Sequence, residues 1–394
     1  MAITQTFAFR WVRMLAAGLF GATLMTVCAP VHATQPAPSA QIQTAEDLDA
    51  WTVAKRMGVG INVGNTLDNN YIWETGWGNP PINRQYIRNL AALGFKTVRL
   101  PVAWDTYAHG GRIDAKKTDH VAEVVDWILE AGMYCVVNIH WDGGWIDSGD
   151  EKRFGKNYAT FTPDAERKFK SYWAQIATRL ADRNQRLVFE GLNEETNFER
   201  MGSEKKAYET LTRVNQMFID TVRATGGNNA RRPLIITGYK TDITKTTNGK
   251  YILPRDTVPH KLLLSVHYYS PWPFAGMTKD EVWGKARWDW GTKTDYAEQE
   301  ALLDKMAAYS VKNDIPVFLG EFGVDVSKDP ESRVRWMTDV AKGSLSRKMV
   351  PVMWEIGQEI TRKPPWDIST PMAIVLTNLG MLPPAEPEAK AAAK

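Results

Sequence analysis

Two glutamates are the residues whose type and spacing point most directly to chemistry. Glu194 ends the apolar run 187–194, and Glu321 lies near the end of the run 316–323. If both runs are strands of one barrel, their side chains can converge across its mouth. Two carboxyl groups about 5 Å apart serve as acid/base and nucleophile in retaining glycoside hydrolysis, whereas a wider gap admits a water molecule and leads to inversion. The pair therefore predicts cleavage of a glycosidic bond.

Two neighbouring carboxylates compete with Glu194 for the acid/base role. Glu190 lies deeper in the same run and would need a buried partner, because an unpaired carboxylate is costly to bury. Glu195 is expected to point away as the chain turns. The residues alone leave all three as candidates.

Polar and aromatic residues gather at the ends of the other apolar runs. Arg99 could hold Glu321 ionised, because a nearby cation lowers a carboxyl pKa, and it could also form a structural ion pair. Asn193 can donate to a sugar 2-hydroxyl, a contact that strengthens in the transition state. The remaining candidates could orient the substrate or the carboxylates, hydrogen-bond the nucleophile or stack under a sugar, and they are Asn65, His140, His267, Tyr269 and Trp354.

Eight short apolar runs place these residues, and most are continuous rather than alternating, as parallel strands covered on both faces are. They span residues 58–65, 95–102, 133–141, 187–194, 234–239, 261–269, 316–323 and 349–357. Amphipathic segments separate most of them, at residues 83–93, 118–131, 164–183, 203–225, 298–313 and 332–348. No clear long helix lies between the fifth and sixth runs.

This alternation predicts an α/β fold, a single-domain (β/α)8 TIM barrel over residues 44–382. A doubly wound sheet is the competing fold. It would favour a glycine-rich phosphate turn after the first strand, and the sequence contains no GxGxxG or GxxxxGK[ST] motif.

The N-terminal 33 residues have the pattern of a signal peptide. Arg10 and Arg13 precede the apolar stretch 14–27, and Val-His-Ala at 31–33 is a small-x-small cleavage site. We therefore expect a secreted or periplasmic protein, with lipidation of Cys28 as an alternative. Residues 34–43 and 383–394 are rich in Pro, Ala, Gln or Glu, and we expect a disordered leader and tail there.

Composition argues against several other classes of function. The net charge is only +3, and no run of five basic residues occurs, so no nucleic-acid partner is expected. His140, His267 and the acids form no HExxH or other short metal-binding spacing, and GxSxG is absent. Cys135, in an apolar run, is interpreted as a buried small hydrophobe.

The sequence resembles glycoside hydrolase family 5 through eight motifs in the order of that family. They are GINVGNTLD (60–68), ETGWGNPP (74–81), VRLPVAW (98–104), NIHWD (138–142), FEGLNEET (189–196), SVHYYSP (265–271), GEFG (320–323) and MWEIG (353–357). The chain is most similar to the branch of bacterial cellulases that carry GNTLD and ETGWGNP near the start, and the likeness runs from about residue 45 to about residue 380.

The resemblance implies a (β/α)8 fold, retaining endo-hydrolysis of β-1,4-linked glucans and no cofactor. Position by position, it implies that Glu194 is the acid/base and Glu321 the nucleophile. The other matching active-site positions are Arg99, His140, Asn193, His267, Tyr269 and Trp354. Two departures could alter subsite shape or the pKa of Glu194: Trp141 replaces a second His of many members, and Glu195 replaces a Pro.

Several alternatives remain open within and beyond this class. Xyloglucanase, lichenase and mannanase activities depend on subsite loops rather than on the barrel core. A non-catalytic carbohydrate-binding barrel and a transglycosylase are the other two classes. We expect a monomer that binds a β-glucan and no membrane. Part of the 16 Trp residues should line the cleft, and the loop candidates are Trp73, Trp77, Trp145, Trp272, Trp283, Trp288 and Trp290.

Overall fold

The computed structural model describes residues 47–140, 161–195, 198 and 201–383. Its strands, in chain order, are β1 (Gly60–Asn62), β2 (Thr97–Leu100), β3 (Ala108–His109), β4 (Arg112–Ile113), β5 (Tyr134–Asn138), β6 (Leu187–Glu190), β7 (Leu234–Thr237), β8 (Leu262–Tyr268), β9 (Val317–Phe322) and β10 (Val350–Met353). Eight of them form a closed parallel barrel in the order β1-β10-β9-β8-β7-β6-β5-β2, and β3 pairs with β4 as a separate hairpin. The predicted (β/α)8 barrel is confirmed.

The helices of the described residues are α1 (Ala50–Met57), α2 (Arg84–Ala92), α3 (Ala115–Glu130), α4 (Pro163–Arg179), α5 (Glu204–Ala224), α6 (Ile243–Thr246), α7 (Trp272–Ala275), α8 (Lys293–Asn313), α9 (Pro330–Ser346) and α10 (Thr370–Asn378). The six amphipathic segments of the sequence correspond to α2, α3, α4, α5, α8 and α9 in the structure, whereas α1, α6, α7 and α10 were not predicted. Only the four-residue α6 and a short 3-10 turn occupy the interval between β7 and β8, where no long helix is predicted. Among these helices, none has the length and apolarity to span a membrane.

Helix α1 closes the end of the barrel at which the strands begin. Its buried residues Val53, Ala54 and Met57 form a cluster with residues early in the strands, such as Val136 and Val350. Asp49 caps this helix by accepting a hydrogen bond from the Thr52 amide, at 2.8 Å. With one end sealed by apolar contacts, the opposite end holds the polar residues.

The first strand is shorter than the sequence predicts, and this corrects the position of Asn65. Strand β1 ends at Asn62, because the Asp68 carboxylate accepts hydrogen bonds from the amides of Asn65 and Thr66 and bends the chain into a turn. Asn65 then adopts a left-handed φ of 56°. The residue at the end of the first strand is therefore Asn62.

An extra residue in β9 shifts the register between β8 and β9 at the carboxyl end of the barrel. The pairing of β8 with β9 is regular from Leu264 to Val266 and then slips by one residue, so that His267 lies opposite Glu321. An irregularity of this kind changes the direction in which a side chain points. It brings a histidine next to a glutamate of the neighbouring strand.

The predicted signal peptide, the leader and Cys28 lie outside the described residues, as do Trp141, Trp145 and the tail beyond Pro383. Cys135, in contrast, is described and is buried without a disulfide. Burial raises the pKa of its thiol, which agrees with its interpretation as a small apolar residue.

Replacement of Met57 by Ala tests the role of α1 as the seal of the barrel. The side chain is fully buried, so its removal should lower the free energy of unfolding by about 3 kcal/mol. Urea denaturation measures the change. Lys55→Ala, an exposed position on the same helix, should change stability by less than about 0.5 kcal/mol. Equal effects of the two substitutions would contradict this role.

Candidate active site

The polar residues gather around the guanidinium group of Arg99 on β2. This side chain is completely buried, and it donates to Glu190 Oε2 at 2.6 Å and to Glu321 Oε1 at 2.7 Å. It also donates to the side-chain oxygens of Asn62 and Asn193, at 3.0 and 2.8 Å. One planar cation thus orients four acceptors that come from three strands, β1, β6 and β9, or from the residues just after them.

Glu190 is a structural partner of Arg99 rather than a reacting group. It is fully buried, and Ser265 donates to its Oε1 at 2.7 Å. Asn138 donates to its Oε2 at 3.2 Å, next to the bond from Arg99. Since buried charges persist only when they are paired and hydrogen-bonded, Glu190 has the buried partner that the sequence requires of it. It is not among the residues that line the cleft.

Glu321 at the end of β9 faces the cleft with its carboxylate fixed on both sides. Arg99 holds Oε1, and the Tyr269 hydroxyl donates to Oε2 at 3.0 Å. Burial and the nearby negative charge of Glu321 raise the pKa of Tyr269 well above its usual value, so the phenol keeps its proton and donates. These two donors hold both carboxylate oxygens of Glu321 in a fixed orientation toward the cleft.

Glu194 differs from Glu321 in exposure and in its partner. Its side chain is 40% exposed, whereas that of Glu321 is 7% exposed. Glu194 Oε1 lies 2.6 Å from Nδ1 of His267, and the same nitrogen is 3.6 Å from Glu321 Oε2. The histidine therefore stands between the two carboxylates.

His267 and Glu194 shift the pKa of each other. Burial alone would raise the pKa of Glu194, but the hydrogen bond and charge of His267 outweigh it and lower the pKa. Burial alone would lower the pKa of His267, but Glu321 and Glu194 outweigh it and raise the pKa. Because each group shifts the pKa of the other, the two titrate as a pair, and their proton belongs to the pair rather than to either residue.

The separation of the carboxylates bears on the stereochemistry that they can support. One oxygen of Glu194 and one oxygen of Glu321 lie within 4.8 Å of each other. Carboxyl groups about 5–5.5 Å apart are typical of retaining glycosidases, whereas inverting enzymes need roughly 6.5–9.5 Å. The spacing leaves room for a sugar carbon between the two groups and fits double displacement.

His140, Asn193 and Trp354 complete the lining around the carboxylates. The imidazole of His140 stacks on the indole of Trp354, with ring centroids 5.9 Å apart and an interplanar angle of 9°. Burial and the charge of Arg99 lower the pKa of His140 well below its usual value, so the ring is neutral. The side-chain oxygen of Asn193 accepts a hydrogen bond from Arg99, so the NH2 group of Asn193 can donate to a ligand.

The cleft above these residues has a volume of about 640 Å³. Trp272 on α7 stands in its wall with 48% of its surface exposed, as predicted for one of the loop tryptophans. The other described candidates are not among the lining residues: Trp290 is buried, and Trp73 packs edge-on against Tyr107.

Glu194, His267 and Glu321 also offer three ligand atoms within 4.8 Å of one another, the geometry of a possible metal site. The fit to a cation is poor for two reasons. His267 and Glu194 are 2.6 Å apart, a hydrogen-bond distance, and the Arg99 guanidinium already supplies positive charge 2.7 Å from Glu321. These three residues therefore fit a hydrogen-bonded cluster better than a metal site.

The structure brings together all but one of the predicted site residues. The exception is Asn65, which lies in the turn after β1 and is not among the lining residues. Sequence reasoning missed Asn62, Asn138 and Ser265. The last two precede His140 and His267 by two residues, so the strand period of two was a signal that they share the inner face.

A closed (β/α)8 barrel with two carboxylates at this separation in its mouth defines a glycoside hydrolase of the barrel class. Residues 59–359 match the family model described as cellulase (glycosyl hydrolase family 5). The chain belongs to glycosyl hydrolase family 5.

Curated relatives and solved structures agree with this assignment. The chain is 34% identical to endoglucanase A of Paenibacillus barcinonensis over 347 residues, 80% of this chain and 85% of that protein. It is 31% identical to a xyloglucan-specific endo-β-1,4-glucanase of Bacteroides ovatus over 344 residues, 79% of this chain and 66% of that protein.

Two solved structures of similar proteins contain oligosaccharides. A Bacteroides ovatus family 5 xyloglucanase with an XXXG heptasaccharide superposes with a TM-score of 0.75 at 28% identity, covering 87% of this chain and 80% of that chain. A broad-specificity endoglucanase from Ruminococcus champanellensis with bound cellotriose gives a TM-score of 0.73 at 28% identity, covering 86% and 99%.

The pairing of His267 with Glu194 predicts the alkaline side of the pH profile. Because the pKa of His267 is raised, the pair should lose its shared proton above pH 6.5, and kcat/KM should fall there. In His267→Gln, Glu194 must hold the proton alone, so the alkaline limb should move to lower pH. An alkaline limb at the same pH in the variant would contradict this coupling.

Proposed function

We propose that the protein is a retaining endo-β-1,4-glucanase in which Glu321 is the nucleophile and Glu194 is the general acid/base. The observation that carries the proposal is the pair of carboxylates in the barrel mouth, with one oxygen of each within 4.8 Å of the other. Arg99 and Tyr269 fix one carboxylate, and the other lies beside His267. The names of the similar proteins, endoglucanase among them, support the same activity.

The first step transfers the sugar to the enzyme. Glu194 gives a proton to the glycosidic oxygen while Glu321 attacks the anomeric carbon from the opposite side. The C–O bond to the leaving chain breaks, and a glycosyl ester on Glu321 forms. Arg99 and Tyr269 hold the attacking carboxylate in place, so little reorganisation is needed at that moment.

The second step restores the enzyme. Glu194, now a carboxylate, takes a proton from a water molecule, whose oxygen attacks the anomeric carbon and releases Glu321. Two inversions give net retention. The NH2 group of Asn193 is suited to bind the sugar 2-hydroxyl, and Trp354 supplies an apolar face beneath the sugar ring.

Substitution of the two glutamates separates their roles. Glu321→Gln should lower kcat on every β-glucan on the order of 10⁴-fold or more, because it removes the cleft carboxylate that Arg99 and Tyr269 hold in place for attack. Glu194→Gln should lose about 10²–10⁴-fold on glucans but retain far more activity on an aryl cellobioside, whose leaving group needs no proton. Glu130→Gln, an exposed carboxylate on α3, is the matched control and should behave as the wild type. Full activity of Glu321→Gln would contradict the assignment.

Assays on a panel of soluble polysaccharides identify the polysaccharide backbone that the enzyme cleaves. We expect reducing-end release from carboxymethylcellulose, mixed-linkage glucan and xyloglucan, with a rapid fall in viscosity, and little from mannan. The xyloglucan-specific relative and the open cleft favour including the branched glucan. Products longer than the substrate would indicate transglycosylation, and cello-oligosaccharide binding without turnover would indicate a binding protein. Cleavage of mannan alone would contradict the proposed substrate.

We propose separately that the protein is secreted or periplasmic, because residues 1–33 have the pattern of a signal peptide. Expression in a Gram-negative host should give periplasmic protein that begins at Thr34. Cytoplasmic protein that retains Met1 would contradict it.

A further inference from the structure

Another buried ion pair lies in the segment that follows β10, and its arginine also reaches the loop after β1. Arg362 and Glu355 are each only 2% exposed, and Nη2 of the arginine lies 3.2 Å from Oε2 of the glutamate. Glu355 directly follows Trp354 in the chain. This pair is distinct from the network around Arg99.

Arg362 reaches both loops at once. Its Nη1 donates to the carbonyl of Gly64 at 2.8 Å, and its Nη2 donates to the carbonyl of Glu355 at 3.0 Å. The amide of Gly64 donates to the same Glu355 carbonyl, at 3.0 Å. The planar fork of the guanidinium therefore fixes the distance between the two loops, which the single point charge of a lysine cannot do.

Gly64 is the surface on which the indole of Trp354 rests. A Cβ atom at this glycine would stand 2.8 Å from Cζ2 and 2.9 Å from Cη2 of Trp354, closer than real Cβ atoms approach other atoms. The ring thus packs directly on the Gly64 backbone. The indole of Trp354 also stacks with the imidazole of His140.

The carboxylate of Glu355 also shapes the loop beyond Trp354. Its Oε1 accepts hydrogen bonds from the amides of Gly357 and Glu359, at 2.7 and 3.0 Å. Glu355 and Glu359 both line the cleft. If the arginine were lost, a buried carboxylate would be left without its cation, and the loop folded around it would shift.

We propose that Arg362 is a positioning residue for the sugar-binding floor. It ties Gly64 to Glu355 and thereby sets the height and tilt of the Trp354 indole beneath the sugar at the reacting centre. Arg362 itself does not line the cleft within the described residues, so it acts through Gly64 and Trp354. The inference rests on the proposed function, because it concerns the same cleft.

A double-mutant cycle tests this proposal. Arg362→Lys should lower kcat/KM on an aryl cellobioside about 10–100-fold, since a shift of about 1 Å in a positioning group is worth that much. In the Trp354→Ala background, the same substitution should cost less than about threefold, because the group through which it acts is gone. Equal losses in both backgrounds, or wild-type kcat/KM in Arg362→Lys, would overturn the proposal.

Two further variants separate positioning from general destabilisation. Arg232→Lys is the matched control: that arginine is also buried but binds the carbonyls of Asn184 and Leu187, next to the start of β6. It should lower Tm without changing kcat/KM of the folded enzyme. Glu355→Gln, if Arg362→Lys does not fold, should repeat the kinetic loss and its suppression by Trp354→Ala.

Failure of the proposed function gives a different result. A wild type that cleaves neither glucans nor the aryl cellobioside would contradict that function alone. In that case, the affinity of the wild type, the two single variants and the double variant for cellotriose is measured by calorimetry. The losses of affinity caused by Arg362→Lys and Trp354→Ala are again expected to be non-additive. Additive affinity losses, or no binding by the wild type, would overturn the role of Arg362.

Discussion

The fully buried Arg99 guanidinium, shared between Glu190 and Glu321, is the interaction on which the site depends. Burying an arginine is costly unless its charge is compensated and its donors are satisfied. Glu190 supplies that compensation from inside the barrel. Glu321 can then present a fixed carboxylate to the cleft, with a second donor from Tyr269. A barrel sealed at the opposite end by apolar contacts of α1 makes this concentration of buried polar groups sustainable.

The two carboxylates of the cleft differ because their surroundings differ. Glu321 receives a permanent cation and a phenol that keeps its proton. Glu194 is more exposed and pairs with His267, a group that can take up and release a proton near neutral pH. An extra residue in β9 puts Glu321 opposite that histidine, which thus lies between both acids. One irregular strand therefore gives two chemically similar side chains separate roles in acid/base and nucleophilic catalysis.

The sequence predicts the barrel and most of the site because both follow simple periodicities. Continuous apolar runs mark parallel strands, and residues at their ends must meet at one edge. Asn65 and Asn62 show the limit: the Asp68 turn that ends β1 depends on side-chain hydrogen bonds that apolar patterning does not report. Arg362 shows a second limit of prediction from sequence, because its hydrogen bond to Gly64 joins residues that are 298 positions apart in the chain. Such long-range contacts leave no local pattern in the sequence.

Trapping of the glycosyl-enzyme tests the central claim most directly. A 2-deoxy-2-fluorocellobioside with a good leaving group slows both steps, but the second more than the first, so the ester on the nucleophile accumulates. Mass spectrometry of the digested protein should find the fluorosugar on the peptide that contains Glu321, and Arg99→Lys should slow its formation. Label on Glu190 or Glu194, or turnover to the α-anomer without any adduct, would contradict a retaining mechanism organised by Arg99 and Glu321.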